Sequence, residues 1–205
     1  YGAFQPADEE CDPSFLVRLL EYFPTDKVDV GSGTYDQYLY DLEKTVVDNY
    51  EKGNYQVSFF YAHLIFMSYT YYCVDHAYNG KTDKPDIENH ASVYDFSKIP
   101  EKEIFKVFRA LEMEDEKIKA LSKYISDRDD YAHATGQGNI SVDALVQNIR
   151  TINKHMEALH EIFKGPAKDL YVQYLLSHCE MEYSDVVDGV YDFIIDNMLS
   201  LHDLE

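Results

Sequence analysis

At 205 residues, 45% hydrophobic and 15% aromatic, the chain carries enough apolar material for one sizeable core, which argues against disorder and for a single domain over residues 1–205. Three scattered cysteines, Cys11, Cys73 and Cys179, include no CxxC pair; this argues against a disulfide framework or cysteine-rich zinc site and for a reducing, cytoplasmic setting. A formal charge of −20 repels nucleic acid at long range, so an RNA ligand demands a local basic cleft or a partner that brings the cations.

The first residues, Tyr1 to Pro6, show no basic stretch leading into an apolar one, so no secretion signal is expected. Asp12-Pro13 reads as an N-cap followed by proline at the first helical position, opening a helix to about Phe23. Pro24 and Gly31-Ser32-Gly33 then break the chain. Thr34 caps a second helix that runs to Tyr50 and closes near Gly53. From Gly53 to Val74 there is no formally charged residue. The stretch is long enough to cross a bilayer, but Asn54, Gln56, Ser58, His63, Ser68 and Thr70 make it too polar, and the reading is a central helix buried on most sides.

Residues 79–100, with Gly80, Pro85 and many polar side chains, read as a long loop. Glu101 to Glu112 then repeats apolar residues at helical spacing in Ile104, Phe105, Phe108 and Leu111. Glu114 to about Ala134 follows with Ile118, Leu121, Tyr124 and Ile125 facing inward, stopped by Gly136 and Gly138. Ser141 caps the next helix, with Asp143 in its first turn, and Gly165-Pro166 is expected to end it after about Phe163. Two more helices are expected near 167–181 and 184–201. The fold class is all-α, an antiparallel bundle of about five to eight helices. Nineteen tyrosines and no tryptophan predict a core whose edges are rich in hydrogen bonds.

One segment combines groups suited to chemistry: Asp127-Arg128-Asp129-Asp130-Tyr131-Ala132-His133, at a helix end before Gly136. Histidine titrates near neutrality and suits a general acid or base, while arginine offers a permanently charged fork for a phosphate. On one straight helix the two lie about 140° apart, so a single helix does not aim both at one point. The R-x4-H spacing with a polar residue after the arginine resembles the HEPN superfamily, which includes toxins of toxin–antitoxin systems, anti-phage effectors and the nuclease domains of RNA-guided CRISPR effectors. The resemblance rests on this motif in an all-helical chain. It implies a metal-independent endoribonuclease without cofactor, with His133 as general acid/base, Arg128 on the phosphate and Asp129 orienting them. It also implies a homodimer whose two Arg128/His133 sets face one cleft. Tyr131 and Lys123 are the candidate substrate-binding residues. A subfamily with tyrosine two residues after the histidine is modified there; Thr135 occupies that position here.

Other readings stay open. Among Asp127, Asp129 and Asp130, Arg128 also reads as a solvated salt-bridge cluster, and His133 as a cation on the last carbonyls of its helix. The domain is then a catalytically silent binding module, and a regulatory protein partner fits either case. A di-iron bundle would draw on Glu157-x-x-His160 and Asp130-x-x-His133, with Glu43 and Asp48 as further carboxylates. His63, inside the uncharged helix, is expected to be a satisfied core histidine.

Overall fold

Gly53 sets the first corner of the molecule. The computed structural model describes residues 18–23, 34–79, 100–110, 113–132 and 140–177, with 190, 193, 194, 200 and 202. Helix α1 (Thr34–Glu51) turns into α2 (Tyr55–Asn79) through Gly53, whose φ of 75° is the left-handed conformation that costs glycine little. Its N–H donates to the Tyr50 carbonyl at 3.0 Å, and the Asn54 N–H donates to the Asn49 carbonyl at 2.8 Å. This is a Schellman cap, and it satisfies two of the carbonyls that a helix end leaves open. The Asn54 carbonyl in turn accepts the first N–H groups of α2, so the two helices form a tight antiparallel hairpin.

As its composition predicts, α2 is the central element, continuing past Val74 to Asn79. Every residue from Ile65 to Thr70 is buried, with Phe66, Tyr69 and Thr70 wholly so. Its hydroxyls find carbonyls: Ser58 reaches across to Val46 of α1 at 2.8 Å, and Ser68 and Thr70 bond back one turn to Leu64 and Phe66. A polar side chain is thereby kept in the core without an orphan donor.

Two shorter helices cross α2. In α3 (Glu101–Ala110), Ile104, Phe105 and Phe108 form the buried stripe, and in α4 (Asp115–Ala132) the stripe is Ile118, Leu121, Tyr124 and Ile125. The Arg109 Nε donates to Asp115 at 2.9 Å over the corner between them. Helix α5 (Val142–Ser177) opens where Ser141 Oγ accepts the Ala144 N–H at 3.2 Å. Leu145, Ile149, Ile152, Met156 and Leu159 seat it on α2.

Two expectations are corrected. Arg18–Tyr22 is a 3-10 helix, not the closing turns of an α-helix, with the Phe23 N–H bonded to the Leu20 carbonyl at 3.1 Å. Leu19 and Phe23, both fully buried, dock this segment on α2 and α5, and the tighter winding sets Leu19 and Tyr22, three residues apart, on one buried side. Gly165-Pro166 does not end a helix, because α5 runs through it to Ser177 and absorbs the start of the helix expected at 167. Proline removes one intrahelical bond, but its usual clash with the preceding residue is lessened when that residue is glycine and has no Cβ. The expected loop beyond Asn79 and the stop at Gly136 and Gly138 lie outside the described residues, and of the helix expected over 184–201 only 190, 193 and 194, all helical, and 200 are described. Those described are almost entirely helical with no strand, an all-α fold of five α-helices, and none is long and apolar enough to cross a membrane.

Candidate functional site

The last turns of α4 carry Arg128, and the structure sets it differently from a solvated helix end. Its side chain is 18% exposed. The Nη2 group pairs with the Glu101 Oε2, and Asp129 Oδ1 stands 3.0 Å from the same nitrogen. Glu101 is the first residue of α3, where a carboxylate also favours the helix N-terminus. Its other oxygen, Oε1, accepts from His63 Nε2 at 3.0 Å, and His63 Nδ1 lies 3.1 Å from the Tyr124 hydroxyl. With Nε2–H donating to Glu101 and the Tyr124 hydroxyl donating to Nδ1, every polar atom of the ring is used. One carboxylate thus ties α2, α3 and α4 together.

The electrostatics follow from this crowding. Burial works to raise the Glu101 carboxyl, but the hydrogen bond from His63 and the positive charge of Arg128 outweigh it and hold the group below its ordinary value. Tyr71 is pushed up to about 12, first by burial and then by the Glu101 charge, so it belongs to the same field. Burial likewise drives the Tyr124 hydroxyl far above its usual range, which leaves it a neutral donor.

Beside Arg128 opens a cleft of about 270 Å³ between α4 and α5, floored by Phe59 of α2 and lined by Tyr124, Asn148 and His155, with Lys123 and Asp127 among its other walls. Lys123 and Asp127 form an exposed i, i+4 ion pair. Burial lowers the His155 pKa. Arg128 Nε and Asn148 Nδ2 are buried without a hydrogen-bond partner.

Of the residues singled out in the sequence, Arg128, Asp129 and Lys123 gather around this corner. Tyr131 does not join the charged groups: half-buried, it sets its ring edge-on to Phe59 at 5.7 Å, and its carbonyl accepts from Gln56. His133 lies outside the described residues, as do the Asp130 side chain and Thr135; α4 is described as far as Ala132. His63 is the satisfied core histidine that its place predicts, but its partner is the carboxylate that also holds Arg128. Sequence reasoning missed Glu101, Asn148 and His155. A histidine in an uncharged helix does signal that some partner must come from elsewhere, yet nothing local says which.

The carboxylate-bundle reading fares poorly on geometry. His160 Nδ1 is bonded to the Tyr69 hydroxyl at 2.8 Å, and its ring clusters with those of Tyr22 and His202, which also meet each other. Among the described residues no three His, Cys, Asp or Glu side chains converge as metal ligands would. Comparison with known protein families, with curated proteins and with solved structures finds no match to this chain.

Proposed function

We propose that the chain is a metal-independent endoribonuclease of the HEPN kind, acting as a homodimer, with Arg128 on the phosphate and His133 moving protons. The setting of Arg128 carries the reading. It is a mostly buried guanidinium, fixed in direction by Glu101 and Asp129, five residues before a histidine. A cation that only solubilises a helix end needs no such anchoring. In the reaction the RNA 2′-hydroxyl attacks the adjacent phosphorus and the P–O5′ bond breaks. The 2′ proton passes to His133, and a proton is returned to the leaving 5′ oxygen, giving a 2′,3′-cyclic phosphate and a 5′-hydroxyl. Arginine offsets the charge that builds on the phosphorane oxygens.

A second reading, a catalytically silent binding module, is favoured by the two carboxylates that already neutralise Arg128 and by the −20 charge. A basic regulatory partner suits either reading, as toxin or defence effector in the first and as scaffold in the second. The test is cleavage of mixed RNA in the presence of a chelator, with product ends analysed. His133→Ala and Arg128→Ala are each expected to slow it by roughly two to four orders of magnitude. Mixing the two variant chains is expected to restore part of the activity if each dimer cleft draws on both copies. Full activity in His133→Ala, or no cleavage by the wild-type dimer, refutes the ribonuclease reading and leaves the binding module.

A further inference from the structure

Buried donors in folded proteins are nearly always paired, so two orphan donors in residues that line one cleft point to an acceptor that enters beside them. Arg128 Nε and Asn148 Nδ2 are such a pair, one from α4 and one from α5. The cations around them are already met by carboxylates, three against two: Glu101 and Asp129 meet Arg128, and Asp127 meets Lys123. The unpartnered Arg128 nitrogen is Nε, separate from the Nη2 that meets both carboxylates, so an uncharged acceptor can take it while the terminal nitrogens keep the phosphate role. The walls suit a flat ring, because Phe59, Tyr124 and His155 all border the cleft. Burial disfavours the charged form of His155, so its ring offers a π-face, not a cation. At the rim, Asp127 keeps accepting capacity beyond the bond it takes from Lys123.

We propose that this cleft binds a guanine base, with O6 and N7 taking the hydrogens of Arg128 and Asn148, and N1–H and N2–H₂ donating to Asp127. Guanine is the base with two adjacent acceptors on one edge and two donors near the other, and arginine and asparagine side chains read base acceptors of this sort. Adenine places a donor where guanine has O6, and the pyrimidines have no N7 acceptor beside their exocyclic group. The volume of about 270 Å³ holds one purine and little more. The biological sense of this pocket rests on the ribonuclease reading, in which it selects the base beside the cut phosphate. Binding itself requires no cleavage.

The test is calorimetric titration of the full chain with guanosine, adenosine, cytidine, uridine and inorganic phosphate. Saturable guanosine binding is expected, with adenosine and the pyrimidine nucleosides at least about tenfold weaker and phosphate without effect. Asn148→Leu removes an orphan donor at similar volume, so it is expected to melt no lower than wild type while losing guanosine about tenfold or more. Asp127→Asn is expected to weaken guanosine similarly and to narrow its lead over adenosine. Equal binding of all four nucleosides, phosphate competing with guanosine, or no guanosine binding at all overturns the proposal. Guanosine binding without RNA cleavage refutes the ribonuclease reading alone, and cleavage without guanosine binding refutes the pocket alone.

Discussion

His63 and His160 are buried to nearly the same degree and both meet a tyrosine, yet they sit in two different kinds of interior. His160 belongs to an aromatic box. It takes the Tyr69 hydroxyl at 2.8 Å, stands edge-on to His202 at 4.8 Å, and has Tyr22 at 5.6 Å, so its neighbours are rings. His63 is one link in a line from the buried Tyr124 hydroxyl through Glu101 to Arg128 and Asp129, which ends at the cleft. The first arrangement fills space and satisfies a polar atom. The second holds a formal charge in a set direction, which is the requirement of a site and an expensive one for a core. Burial of a histidine therefore says little about its role until the next residue along is known.

The largest expected difference between the two regions is at Glu101. Glu101→Leu strands most of the Arg128 charge and frees His63 Nε2, and is expected to cost about 3 kcal/mol in denaturant unfolding. That is the low end for breaking a buried pair, because Asp129 still meets the guanidinium. If Glu101→Leu is as stable as wild type, the charged line has no part in holding α2, α3 and α4 together.

Acid should separate the regions next. Glu101 is held below its usual 4.5, so the unfolded chain takes up this proton at a higher pH than the folded chain does. The contribution is complete above 4.5 and is lost as pH falls through the lower folded value. His155, held below its usual 6.5 by burial, acts in the same direction: below 6.5 the unfolded chain gains a proton that the folded chain resists. Unfolding free energy measured from pH 7 downward is expected to fall, and Glu101→Gln is expected to flatten the lower part of that fall. Tyr69→Phe, in the aromatic box, should leave the profile parallel to wild type.

At neutral pH, Tyr69→Phe gives up one neutral hydrogen bond while the ring stays packed, for an expected loss of about 1 kcal/mol. A loss equal to that of Glu101→Leu would erase the distinction between box and line. The smallest effect is expected at Arg109→Ala. Its ion pair with Asp115 is 60% and 65% exposed, and removal should shift stability by about 0.5 kcal/mol or less, vanishing in high salt.

The helical class, the Gly53 corner, the Ser141 cap and the buried stripes of α3 and α4 were legible in the sequence because their causes are local. A cap, a left-handed glycine or an apolar spacing acts within about four residues, and the chain's neighbours enforce it wherever the helix goes. Arg128 and Asp129 were legible as a pair for the same reason. The rest of the site was not. Glu101 lies 27 residues from Arg128 and 38 from His63, and only the crossing of α3 over α2 and α4 brings the three together. Asn148 and His155 reach the cleft because α5 packs on α2, not through any local signal. Proline at 166 shows the reverse case, a strong local signal that the long helix overrode. Local chemistry decides what each segment prefers, but a buried charge must be met by whichever carboxylate the packing delivers, and that choice belongs to the tertiary structure.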